Sequence, residues 1–239
     1  MNIFKRILLL ILPLSLIFIS CEREPSVNVD QDTVYGEYRL VYDANEDKTY
    51  ARATFRFGSA TGTILELSEP AEITYDGDQM PWKPILAYYE QDFAGKVASG
   101  TFSYTDLEQN TFENAVSLAS EIGLSASLTE ISQGAAFTLI WEGSPIVAGE
   151  IITVTINGIN EGDAQIFIEA DPGATSIVLP KDKLEELGIG TARVFIERRA
   201  NAQVQQGTSR GGAIWSRYNL DINRPYIVTA PDGTATARS

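Results

Sequence analysis

The sequence predicts an all-β protein built as two antiparallel β-sandwiches, and three observations carry that expectation. Apolar and polar residues alternate with period two through most of the chain beyond Gly36. Turn residues (Gly58, Gly62, Pro70, Asp76-Gly77, Gly100) cut these runs at short intervals. The runs also fall into two series, divided where Ser and Ala accumulate around Gly123.

The chain opens on a processing segment. Lys5 and Arg6 precede an apolar run from Ile7 to Ile19, too short to span a bilayer comfortably and weakened by Pro13. Ile17-Phe18-Ile19-Ser20-Cys21 resembles the lipobox of bacterial lipoprotein precursors, with Phe18 where Leu is usual. The resemblance implies cleavage after residue 20 and acylation of Cys21, the only cysteine of the chain. Several acyl chains hold a protein firmly where one is marginal. Glu22 and Glu24 resemble the surface-export signal of Bacteroidota lipoproteins. The polar stretch to about Thr33 is expected to be a tether.

In the first series, Ala51, Ala53, Phe55 and Phe57 alternate with Tyr50, Arg52, Thr54 and Arg56, the pattern of a half-buried strand. Tyr38, Leu40 and Tyr42 alternate with Arg39, Val41 and Asp43, and the turn-forming residues 43–47 join the two as a hairpin. Further strands are expected at 63–67, 71–75, 84–90, 96–104 and 111–118. The second series begins near Thr129. Phe137, Leu139 and Trp141 share one face; Ile152, Val154 and Ile156 share another; 164–169, 175–179, 191–198 and 212–222 follow. Ile214, Tyr218, Leu220 and Ile222 form the even face of the last. A helix is expected from Lys181 to Leu187, after Pro180 and before Gly188, with Leu184 and Leu187 plugging a sandwich. The division is 1–20 signal peptide, 21–33 lipidated tether, 34–122 and 123–229 sandwiches, and 230–239 flexible tail. Residues 135–222 resemble the immunoglobulin-like or fibronectin-III-like modules of bacterial surface proteins, in Gly149-Glu150 leading a strand, Ser176–Pro180, and Leu184, Leu187 and Gly190 before Thr191–Arg198.

Composition narrows the function. The 239 residues carry a net charge of −14, which argues against a nucleic-acid partner. Removing residues 1–20 takes away Lys5 and Arg6 and no acid, so the mature chain is more acidic still. The absence of histidine removes the commonest general base and a common metal ligand, and a lone cysteine leaves nothing for an intrachain disulfide.

Candidate sites are few. Asp43, Asn45 and Asp47 have the oxygen spacing of a Ca²⁺ loop, but Lys48 stands where that loop wants Gly and Thr54 where it wants an acid. A hairpin turn is the better reading, as it is for Asp76-Gly77-Asp78. Trp82, Tyr88 and Tyr89 are candidate ligand contacts around Met80-Pro81-Trp82-Lys83-Pro84, although core packing or loop anchoring is the better reading of such aromatics. Trp215, off the apolar face of its strand, is a further candidate contact. Late arginines, Arg193, Arg198, Arg199, Arg210, Arg217 and Arg224, are placed on exposed faces and loops, and residues 200–212 read as a mobile loop. No G-x-S-x-G or marked carboxylate pair points to catalysis.

The expectation is a non-catalytic lipoprotein of the cell envelope, periplasmic or surface-exposed, held in the outer membrane by acylated Cys21. It would bind an envelope protein or glycan, without cofactor or metal. The alternatives are a glycan-binding lipoprotein of a carbohydrate-uptake system and a histidine-independent hydrolase.

Overall fold

The computed structural model describes residues 23–158 and 164–233; the signal segment, Cys21 and residues 234–239 of the tail lie outside them. The first half holds β1 (Arg23–Pro25), β2 (Val34–Asp43), β3 (Lys48–Phe57), β4 (Ile64–Glu66), β5 (Glu72–Tyr75), β6 (Asp78–Gln79), β7 (Trp82–Lys83), β8 (Tyr88–Ala94), β9 (Ser99–Thr105) and β10 (Thr111–Ser117). The second holds β11 (Ile122–Leu124), β12 (Glu130–Ser132), β13 (Phe137–Gly143), β14 (Glu150–Gly158), β15 (Gln165–Glu169), β16 (Ser176–Leu179), helix α1 (Lys181–Glu185), β17 (Gly190–Ala202) and β18 (Gly212–Thr229). The fold is all-β, as the alternation predicts.

One long sheet serves both halves, in the order β1-β4-β3-β2-β18-β17-β14-β15, with β7, β8 and β12 attached at its sides. Two smaller sheets, β10-β9-β5-β6 and β11-β13-β16, complete the layers. Most neighbours are antiparallel. The join between the halves is parallel, Gly212 to Asn219 of β18 lying beside Gly36 to Asp43 of β2.

Period two sorts the side chains of the long sheet. Tyr38, Leu40, Ala51, Ala53 and Phe55 pack against Ile73, Tyr75, Phe102 and Tyr104 of the four-stranded sheet. Ile152, Val154, Ile156, Val194 and Ile196 pack against Leu139, Trp141, Ile177 and Leu179 of the three-stranded one. The register puts Tyr38 beside Ile214 and Tyr42 beside Tyr218, so both cores lie on the same face of the long sheet. Each buried Leu, Ile or Phe contributes roughly 1.5–3 kcal/mol.

Several local expectations change. Residues 23–33 do not hang free: β1 pairs with β4, two short 3₁₀ turns follow, and Ser26 and Gln31 are buried. The Gln31 side-chain amide donates to the Ser26 and Val29 carbonyls, both at 2.9 Å, satisfying the backbone without a regular ladder. Residues 84–87 form a turn rather than the start of a strand. Pro84 offers no backbone N–H to a ladder, and Ala87 turns the chain with φ of 57°. Strand 96–104 begins only at Ser99, and the last strand runs past 222 to Thr229. The helix ends at Glu185, while Leu184 and Leu187 are both buried in the second core.

The loop expected to be mobile, 200–212, begins as strand and is then pinned. Gln205 and Gln206 donate their backbone N–H groups to Asn114 Oδ1 at 2.8 and 3.2 Å, and Asn114 Nδ2 donates to the Gln206 carbonyl at 2.9 Å. Their side-chain carbonyls accept from the backbone of Ala115 and Glu113. The two glutamines thereby occupy the free edge of β10, which would otherwise present unpaired groups to solvent.

Candidate binding face

The two smaller sheets cover one face of the long sheet and leave the other to its own side chains. On that open face the odd positions of β2 and β18 meet the even positions of β3 and β8 and the odd positions of β17. Arg39 lies opposite Arg52 on one side and Trp215 on the other, and Arg52 opposite Glu90. One step along, Arg199 lies opposite Arg217, which in turn lies opposite Val41. Like charges directly across a ladder are unfavourable, and here two such pairs share one patch.

Aromatic rings and carboxylates make the arrangement tolerable. The Tyr88 ring has the guanidinium carbons of Arg39 and Arg52 each 5.3 Å from its centroid. Arg199 lies 4.3 Å from the Trp215 ring, with Arg217 at 5.7 Å and Arg39 at 6.0 Å. The Trp215 indole N–H donates to Glu37 at 3.1 Å. Arg52 donates to Glu90 at 2.6 Å, and Arg217 to Glu197 at 3.2 Å. Arg39 donates to Thr54 at 3.1 Å and Arg199 to Asn201 at 3.0 Å. Burial pulls the Arg39 pKa below its ordinary value; Glu37 opposes that and Arg52 adds to it. Burial likewise raises the Tyr88 phenol. The side chains therefore form one packed layer of planar cations and rings. Such a layer combines apolar area with guanidinium donors, the mixture that recognises another surface.

Toward the second half this face deepens into a hollow of about 350 Å³ bordered by Asp43, Glu46, Thr153, Phe195, Glu197 and Asp221. Asn45 holds Asp221 through its backbone at 2.7 Å in both directions. Asp43 accepts from the backbone of Asn45 and Glu46, and Tyr42 donates to Asp47 at 2.9 Å. Residues 43–47 thus form a hydrogen-bonded turn. Among the described residues no three Cys, Asp or Glu side chains are grouped to hold a metal ion.

The candidate contacts separate onto different surfaces. Tyr88 and Trp215 are brought together on the open face through Arg39. Tyr89, the next residue along, points the other way: it is buried and accepts from the Leu67 N–H at 2.7 Å. Trp82 is half-buried against Tyr89, with ring centroids 4.9 Å apart. The residues not singled out beforehand are Arg39, Arg52 and Glu37. The alternation that places Arg39 and Arg52 on polar strand faces was a usable signal, but their adjacency depends on which strands pair.

No protein-family model matches the chain, and no curated protein matches it. Among solved structures, a chain from a bacterial ice-binding adhesin is similar at 10% identity and a TM-score of 0.25, over 83% of this chain; this chain spans 66% of that one. The two tandem V-type regions of a v-region-containing chitin-binding protein are similar at 10% identity and a TM-score of 0.22, over 79% of this chain and 100% of that one. Neither similarity is strong enough to assign a function.

Proposed function

We propose that this protein is a non-catalytic binding module of the bacterial cell envelope, held in the outer membrane by acylated Cys21, which offers the open face of its long sheet to a macromolecular partner. The observation that carries the reading is the layer of Arg39, Arg52, Arg199 and Arg217 with Tyr88 and Trp215 on a face that neither smaller sheet covers. Aromatic and arginine side chains are the types enriched in interface cores. The anchor is supported by Ile17-Phe18-Ile19-Ser20-Cys21 at the end of the apolar run.

Two measurements test it. Acyl labelling of the full-length protein is expected to be lost in Cys21→Ser, and an intact Met1 or an unmodified Cys21 would sink the anchor. Hydroxyl-radical footprinting is expected to find Trp215 and Tyr88 protected on cells relative to purified protein. Ile140, exposed on the three-stranded sheet, is expected to react equally in both settings. Equal oxidation of Trp215 in the two settings counts against the contact face.

A further inference from the structure

The chain is fixed to the body of the protein almost from the anchor onward. Arg23, Glu24 and Pro25 pair with Ile64, Leu65 and Glu66, and the Ser68 N–H donates to the buried Ser26 hydroxyl at 2.8 Å. On the reading that Cys21 is acylated, Glu22 alone separates the anchor from this strand. Two peptide steps reach at most about 7.6 Å between Cα atoms. The headgroup region of one leaflet is itself roughly 5–8 Å deep. An acylated Cys21 therefore leaves Arg23 at most about 3 Å clear of the headgroups, so one end of the folded body lies against them.

The strand register identifies that end. Arg23 lies beside Ile64, and the Phe57 N–H donates to the Thr63 carbonyl at 2.9 Å, so residues 57–63 share its level. The Gly58 N–H donates to the Thr33 carbonyl at 2.8 Å, bringing in the start of β2. Phe-Gly-Ser-Ala-Thr-Gly-Thr, residues 57–63, carries no charge in a chain of net −14. Phe57 is 46% exposed there, and Glu24 and Asp30 flank it in one shallow cleft. An uncharged loop can meet the headgroups with no charged side chain of its own to desolvate, and the exposed Phe57 ring supplies apolar area to bury there.

The same register sets the direction of everything else. Val34 pairs with Phe57, and β18 starts at Gly212 beside Gly36, runs parallel to β2 as far as Asn219 and continues to Thr229, 18 residues in all. At about 3.3 Å per residue this is at most roughly 59 Å of strand leading away from the anchor end, shortened where its register to β17 shifts between Ala192 and Val194. The second core lies along its far part. We propose that Phe57 and residues 58–63 rest on the lipid surface, so that the long sheet stands with its strands leading away from the bilayer and its open face accessible from the side.

Full-length acylated protein in phosphatidylethanolamine–phosphatidylglycerol vesicles tests this. With Cys21 capped by lipid, Ala60→Cys or Lys183→Cys supplies the one free thiol for a fluorophore; both positions are exposed, and Lys183 lies on α1, just before the far end of the sheet. Headgroup-level nitroxide lipid is expected to quench the label at 60 and leave the label at 183 bright. Phe57→Ser is expected to reduce the quenching at 60. Vesicle-bound protein with no quenching at 60, or with equal quenching at both positions, overturns the orientation while leaving the anchor intact. Protein that carries no acyl chain and fails to float with vesicles overturns the anchor, and the orientation with it.

Discussion

At the scale of single residues, the most consequential side chain outside the open face is Arg198, which sits on the core side of β17 with no exposed surface. Its guanidinium donates to the Ser144 hydroxyl at 2.7 Å and to the Ser144 carbonyl, and Nε lies 3.7 Å from the Glu150 carboxylate. Glu150 in turn accepts from the Val147 N–H at 3.1 Å, so the pair ties residues 144–150 to the sheet. Removing one partner of a buried pair strands the other, and Arg198→Ala is expected to cost about 3–5 kcal/mol. The double variant Arg198→Met with Glu150→Gln should recover part of that loss, measured by urea denaturation. Full additivity would mean the two groups act separately. The buried tyrosines make a second prediction. Burial raises the phenols of Tyr38, Tyr75 and Tyr104 and pushes Tyr89 up to about 12. Below about pH 10 both folded and unfolded chains keep these phenols neutral, and the full stability is present. Between about pH 10 and 12 the unfolded chain ionises while the folded one resists. Stability should therefore fall by about 1.4 kcal/mol per pH unit for each tyrosine. The Tyr104 hydroxyl has no hydrogen-bond partner among the described residues, so Tyr104→Phe should leave stability at neutral pH unchanged or higher and flatten the alkaline fall. A urea midpoint that does not move between about pH 9 and 11 contradicts the assignment.

At the scale of elements, the loop at 203–206 acts as a strand substitute. Asn114, wholly buried on β10, satisfies two backbone N–H groups and one carbonyl of that loop. Asn114→Ala leaves those groups without their partner; Gln205 and Gln206 are exposed, so water replaces part of the loss and a destabilisation of about 1–3 kcal/mol in all is expected. Limited proteolysis should then cut within 203–211 before any other site; an unchanged cleavage pattern would show that the loop is held by something else. Sequence reading found the strands on either side because period-two alternation is local. It read 200–212 as mobile because glutamine side chains mimicking a ladder leave no periodic trace. The same limit explains the N-terminal segment, where Gln31 and Ser26 are polar residues buried by hydrogen bonds to distant backbone. For the candidate face, alternation was enough to put Arg52 and Arg39 on polar sides and Trp215 off its strand's apolar face. It also had the means to split Tyr88 from Tyr89, which face opposite ways. Trp82 was less readable, since a half-buried ring packed on Tyr89 looks in sequence like a presented one.

At the scale of the whole molecule, β18 is what makes the two series of strands one object. The pairing of β2 with β18 joins residues more than 170 positions apart, and nothing local in either segment announces it. Its consequences reach both cores. Ile214 belongs to the first and Tyr218, Ile222, Tyr226 and Val228 to the second, so a single strand is built into each. Tyr42 of the first hairpin crosses the other way, packing into the second core against Tyr218 at 5.2 Å between centroids. Unfolding either half would strip one stretch of the covered face of β18 and break its parallel ladder to β2. The two sandwiches are accordingly expected to unfold in one step. Trp82 reports on the first half and Trp141, on β13, reports on the second. With Trp215 replaced by Phe, urea transitions followed through single-tryptophan variants at 82 and 141 should coincide in midpoint and slope. Leu139→Ala, in the second core, should lower the midpoint seen at Trp82 as much as the one seen at Trp141, by an amount equivalent to about 2–5 kcal/mol. Two separated transitions, or a Leu139→Ala effect confined to Trp141, would mean that the shared strand joins two independently folding sandwiches. The open face, built from strands of both halves, would then lack the rigidity that a shared sheet gives it.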